Sequence, residues 1–393
     1  MLGLGYNALL VATGAALLGI AAGVTGTFLF LRKRSLVSDA ISHATLPGVA
    51  LGFLVMVAFG GDGRALPGLL LGSAVTAWAG LLCVSWLTRR TRLAEDAAIG
   101  AVLSVFFGLG IVLLTVIQSL NVGRQAGLES FLLGSTAGML FSDAVVIAVG
   151  GALTLALVVL LRRPMLMVAF DPEYAAASGR DVRRIDLAMM GLVMAVTVVG
   201  LKIVGLILIV ALLIIPPVAA RFWTDRADRV VLLAGLFGGV SGFAGAVVSA
   251  SAPNLPTGPI IVLASFVFFA LSLFLSPKRG VLATYLNHRH YQRRVHIRQG
   301  LLALAQGQPI YERLTVRLLQ GAGYARPDGV ATEAGKVAAA KSLLDERRWQ
   351  LLRADADFEA TAALYDGLRP LETVLTPDQI AEIDRGLGPE ASA

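Results

Sequence analysis

Charge is what this sequence has least of. Asp, Glu, Lys and Arg make up 15% of its 393 residues, and 56% are hydrophobic. Soluble domains carry about a quarter charged residues, so a water-soluble protein is excluded for most of the length. Cysteine is scarcer still. Cys83 stands alone inside an apolar run, which rules out an intrachain disulfide and any Cys-x-x-Cys site. There are four histidines, and His43 is the only one before residue 288. No His-Glu-x-x-His occurs, and no nucleophilic triad assembles. No glycine-rich run ends in Gly-Lys-Ser/Thr, so the chain does not hydrolyse ATP through a P-loop.

What is present is a series of apolar runs from Leu2 to Ser276, each near the ~20 residues that cross a bilayer. The pattern predicts nine helices, at 6–31, 36–59, 66–88, 97–118, 142–161, 185–201, 203–220, 230–250 and 258–276. Basic clusters separate them: Arg32 to Arg34, Arg89 to Arg92, Arg162 to Arg184, Arg221 to Arg229, and Lys278 with Arg279. Such loops face the cytoplasm. Nine crossings satisfy them with the N-terminus outside and the C-terminus inside. The block from Leu187 to Phe222 is basic at both flanks, so it is expected to be a hairpin turning near Gly200-Leu201-Lys202. The first run is too long and wrongly flanked for a cleaved signal peptide.

Within this apolar part, Asp39 is the only carboxylate expected well inside a span, and His43 follows four residues later. Positions i and i+4 share a helix face. Carboxylate plus imidazole is a transition-metal pair, and ionisable groups at membrane depth mark ion paths or substrate sites. A helix-end carboxylate beside a satisfied histidine would show the same spacing. Glycine is abundant, and Gly235, Gly238, Gly239, Gly242 and Gly245 line one helix, where small residues permit close packing. Gly127 to Leu140 is too short to span and reads as an outer interfacial or re-entrant segment. Phe170 to Asp186 is longer than a connection needs. It reads either as an amphipathic linker or as a short helix that docks on a cytoplasmic partner.

After Pro277 the composition changes. The stretch Tyr285 to Arg298 is basic and histidine-rich, and such segments lie against anionic lipid. From Gln299 onward there are 10 basic and 14 acidic residues. Helices are expected around 298–306, 309–321, 332–352, 356–366 and 376–386, with Thr332 and Thr376 as caps. The domains expected are therefore 1–280 in the membrane, a basic linker at 281–298 and a cytoplasmic unit at 299–393.

Two motifs carry a family resemblance. Ser38-Asp39-Ala40-Ile41-Ser42-His43-Ala44, followed by Leu46-Pro47-Gly48-Val49-Ala50, resembles the signature of the ABC-3 permeases. Val199 to Arg221, with Leu212-Leu213-Ile214-Ile215-Pro216 inside it, looks like the hairpin of the same family. Leu128 to Gly134 is similar to its outer loop. These permeases are the membrane subunits of bacterial ATP-driven importers of zinc, manganese and iron. The resemblance implies an all-α polytopic protein of 8–9 transmembrane helices in the bacterial plasma membrane. It implies a cytoplasmic ATPase as a separate chain, an extracytoplasmic metal-binding protein and a second permease copy or paralogue. Asp39 and His43 would coordinate the passing metal, with no permanently bound cofactor. The loop bearing Glu173, Ala176 and Gly179 would couple to the ATPase.

The tail from Leu301 resembles the winged-helix part of the DtxR/MntR metal-dependent repressors, in Ala331 to Lys336, Leu343 to Leu352 and Leu368 to Gly388. It departs from that pattern where metal ligands are required: Arg347 and Thr373 stand at histidine positions. Its acidic balance lacks the basic footprint of a duplex binder, so no nucleic acid is expected. Three functions can be drawn from these features. A divalent-metal permease, manganese first with iron and zinc behind, fits them all. A membrane-tethered regulator using the tail is weakened by the lost ligands. An intramembrane enzyme lacks a second catalytic group at depth.

Overall fold

The computed structural model describes residues 5–61, 63, 65–119, 139–252, 255–354, 367–368 and 370–387. The chain divides into two compact units, 1–283 and 284–393. The first contains nine helices long and apolar enough to cross a membrane among the described residues. They are α1 (Tyr6–Leu31), α2 (Leu36–Ala58), α3 (Leu66–Arg90), α4 (Glu95–Ser119), α5 (Phe141–Phe170), α7 (Val182–Leu201), α8 (Val204–Trp223), α9 (Ala227–Ala250) and α10 (Thr257–Leu275). A six-residue helix, α6 (Pro172–Ala177), lies between α5 and α7. The expected outer segment at 127–138 lies outside the described residues.

Small residues set the packing. α1 runs against α9 with backbone touching backbone: a Cβ on Gly19 would strike the Gly238 carbonyl, and one on Gly23 the Ala234 carbonyl. Gly26 meets the Leu213 carbonyl of α8 in the same way. α2 is gripped from two sides. Gly48 abuts Gly72 of α3, and Gly110 of α4 abuts Leu46 and Pro47. In lipid no hydrophobic force drives helices together, so close contact of this kind is what holds them. Buried hydroxyls return their protons to their own helix: Thr25 Oγ1 donates to the Ala21 carbonyl at 2.7 Å, and Ser42 Oγ to that of Ser38 at 2.8 Å. The outward surface is apolar, with Val159, Leu232 and Leu71 among its exposed residues, as a lipid-facing wall requires.

The hairpin turns later than expected. The break falls at Gly205 (φ 78°, ψ 169°), beyond Gly200-Leu201-Lys202. That conformation is open almost only to glycine. The chain does double back, since Ile209 Cδ1 lies 2.8 Å from where a Gly200 Cβ would be. A continuous helix would hold these two residues about 13 Å apart. α5 also runs nine residues past the expected 161, through Pro164 to Phe170. At 30 residues it is about 45 Å long, longer than the ~30 Å hydrocarbon core.

The second unit contains α11 (Val281–Ala305, which begins in the first unit), α12 (Arg313–Gly321), α13 (Glu333–Ala354) and α14 (Pro377–Leu387). Leu301, Leu319, Ala325 and Ala339 form one small core, and Leu352, Leu371, Leu375 and Ile383 another. Thr332 caps α13, accepting from the Gly335 N–H at 3.0 Å. Thr376 and Gln379 form a reciprocal cap on α14. Among the described residues there is one antiparallel bridge, Ala325 with Ala331, and no strand. Among the described residues the unit is thus helical, with no wing strands. The helix expected at 356–366 lies outside the described residues.

Candidate metal-translocation site

α2 starts immediately after a tight turn. Arg34 N–H bonds to the Leu29 carbonyl at 2.9 Å and Lys33 N–H to that of Phe30 at 3.0 Å. This double closure ends α1 and normally uses glycine in the left-handed position. Here Lys33 occupies it, with φ 58°. Asp39 falls in the first turn of α2. It is thus nearer the helix mouth than a position well inside the span. The expected start at 36 coincides with Leu36, so the predicted bounds already place Asp39 in the first turn.

His43 lies one turn deeper. Its Nε2 faces Asp39 Oδ1 at 3.4 Å, with the side chains 18% and 35% exposed. Metal–ligand bonds to N and O are about 2.0–2.2 Å, so two donors at this separation can share one ion at an angle of roughly 100–115°. The Nδ1 of His43 is buried with no hydrogen-bond partner. The ring is instead held by Phe107 of α4, edge to face, with centroids 4.9 Å apart. Pro47 lies four residues on in the same helix. It has no N–H to give to the His43 carbonyl, which is left out of the helix ladder. The site therefore combines a carboxylate and an imidazole, while the freed His43 carbonyl points along the helix toward Pro47, away from the pair. Among the described residues no group of three or more His, Cys, Asp or Glu could hold a metal. A set this small suits passage, which needs release as much as capture.

The loop residues fall together elsewhere. Asp171 caps α6, its Oδ1 accepting from the Tyr174 N–H at 2.8 Å. Gly179 ends it in the left-handed region at φ 76°. Ala175 is buried against the bundle, while Glu173 and Ala176 are exposed. One face is anchored and the other is free.

Sequence reasoning missed an ion network beside the site. Arg32 donates to Asp186 Oδ2 at 2.9 Å and to the Val168 carbonyl at 3.0 Å. Arg34 pairs with Glu95 at 2.8 Å and approaches Asp186 at 3.5 Å. The signal available was only a basic turn, which the positive-inside rule already accounted for.

The chain matches the ABC 3 transport family over residues 6–276. It belongs to that family. It is 41% identical over 294 residues to the manganese transport system membrane protein MntC of Bacillus subtilis, covering 75% of this chain and 66% of that protein. It is 39% identical over 272 residues to the zinc transport system membrane protein TroC of Treponema pallidum, covering 69% and 90%. Among solved structures, PsaBC from Streptococcus pneumoniae in complex with Fab aligns with TM-score 0.62 at 30% identity, covering 72% of this chain and 96% of that one. Membership makes this a multi-pass membrane permease of an ABC transporter system. It is not an enzyme, and ATP hydrolysis belongs to a separate ATPase.

Proposed function

We propose that the chain is the permease subunit of an importer that moves a divalent transition metal into the cytoplasm, manganese first, with iron and zinc behind. Asp39 and His43 are the ligands the cargo meets on its path. The carrying observation is their juxtaposition, two donors on one helix face within reach of one ion. Carboxylate plus imidazole serves manganese, iron and zinc alike; relatives named for manganese and for zinc support both metals, and the several named for manganese put it first. An ATPase docks beneath α6 through Glu173, Ala176 and the Gly179 turn, a metal-binding protein docks on the outer face, and a second permease completes the pathway.

The tail is proposed as a cytoplasmic regulatory unit on a winged-helix plan. Its resemblance to the repressors supports this, as does the turned segment at 324–332, where Thr332 N–H returns to the Tyr324 carbonyl at 3.0 Å. The basic stretch of α11 lies against anionic lipid. A salt-sensitive, sequence-specific DNA shift by the purified tail would instead revive a tethered regulator.

The central test is manganese, iron and zinc uptake by cells expressing the permease with its ATPase and binding protein. Asp39→Ala and His43→Ala should each abolish uptake at matched membrane levels. Wild-type uptake by either variant would sink the assignment.

A further inference from the structure

We propose that Arg32, Arg34, Asp186 and Glu95 are a positioning clamp that carries movement of the α6 face to the metal-bearing helix. The proposal rests on reading α6 as the docking helix and Asp39 with His43 as cargo ligands.

The four residues come from three helix ends. Arg32 and Arg34 lie in the turn between α1 and α2. Asp186 sits in α7, whose cap Asp181 follows directly on the turn that ends α6. Glu95 is the first residue of α4. Two arginines meet two carboxylates, so the cluster is neutral. Asp186 is shared by both arginines, and its side chain is 12% exposed.

An exposed ion pair contributes little, but this cluster is mostly shielded. Arg32 is 15% exposed and has a buried Nε with no partner. Asp186 is the only carboxylate that it meets among the described residues. A half-buried guanidinium cannot readily exchange that partner for water. When the start of α7 moves, the turn must follow.

That turn is a stiff connection. Its two backbone bonds and the left-handed Lys33 leave little slack before Leu36, and Asp39 is three residues further on. The same clamp holds α4 through Glu95, and α4 supplies Phe107 against the His43 ring. Both sides of the metal pair are thereby referred to one ionic anchor. Coupling through a contiguous network of this kind requires an element with two arrangements. Here that element is α2 and α4 moving together against α7.

The test uses the permease reconstituted with its ATPase and binding protein, measuring manganese imported per ATP hydrolysed. Asp186→Asn and Glu95→Gln should each lower that ratio about tenfold while hydrolysis persists. Arg34→Glu should do the same, and adding Glu95→Arg should restore the ratio to within about threefold of wild type. A purely structural role would lower hydrolysis, melting temperature and import together, and the swapped pair would not recover coupling. Crosslinking from Ala176→Cys to the ATPase is run in parallel. Retained crosslinks with an unchanged ratio in the single variants would overturn the clamp alone. Absence of the crosslink in otherwise wild-type protein would overturn the docking reading, and the clamp with it.

Discussion

Two glycines on α4, two residues apart, should respond in opposite directions to the same substitution. Gly110 is buried against α2, and a Cβ there would lie 2.7 Å from Leu46 Cβ and 3.1 Å from Pro47 N. Carbon atoms pack at about 3.5–4.0 Å, so Gly110→Ala must drive α4 and α2 apart by roughly 1 Å. Overpacking of this size costs about 1–3 kcal/mol. Gly108 has nothing within 4 Å of its Cβ position. Gly108→Ala there brings only the better helix propensity of alanine, up to about 1 kcal/mol. Near 2–4 °C per kcal/mol, Gly110→Ala should melt roughly 2–12 °C below wild type, and Gly108→Ala at or slightly above it. The assay is thermal unfolding of the detergent-purified permease. Import should fall only in Gly110→Ala, because Leu46 and Pro47 lie one turn beyond His43. If Gly110→Ala melts no lower than Gly108→Ala, the close approach of α2 and α4 is wrong, and the geometry around His43 with it.

Lys33→Gly should raise the melting temperature by relieving the left-handed strain, about 1 kcal/mol; an unchanged or lower value would count against the turn. Ala176→Arg on the exposed face of α6 should leave the membrane unit's melting unchanged and cut ATP-driven import at least about tenfold; normal import would exclude this face from docking. In the tail, burial raises the Asp345 carboxyl above its ordinary range, while Arg348 pulls it down more weakly. The folded tail therefore favours the protonated acid. That contribution is fully present below the unfolded carboxylate range and is lost as pH rises through the folded value. Asp345→Asn should flatten this decline and slow hydrogen exchange of α13 at neutral pH. A wild-type pH profile in that variant would refute it.

The spans were legible because each apolar run has a basic cluster at one end, and lipid imposes both features. Where the ends were misjudged, a local cue misled. Arg162, Arg163 and Pro164 read as a stop, yet α5 continues to Phe170, with Met165 and Val168 buried against Ala175 and Met189. Gly200 and Lys202 looked like the hairpin turn, but φ 78° at Gly205 decided its position. The Asp39–His43 pair was legible because helical spacing puts both on one face. Phe107 and Asp186 were not. Asp186 meets Arg32 across 154 residues of sequence, and no periodicity reports contacts at that range.

The distribution of partners around the carboxylates says most about Asp39. Asp186 and Glu95, near the same helix ends, are neutralised by arginine. Asp225 meets Arg279, and Asp228 meets Arg162. In the membrane unit Asp39 is paired with an imidazole, and among the described residues it has no arginine or lysine partner. A carboxylate on a membrane helix without a fixed cation carries an electrostatic debt that a divalent ion can cancel. An arginine in that place would compete with the cargo and never leave. The imidazole adds a second donor of the kind transition metals take. In the proposed clamp α2 and α4 move together, so the Phe107 ring stays against His43 while the pair shifts relative to α7. On the proposed function, this pair is a station for the passing ion.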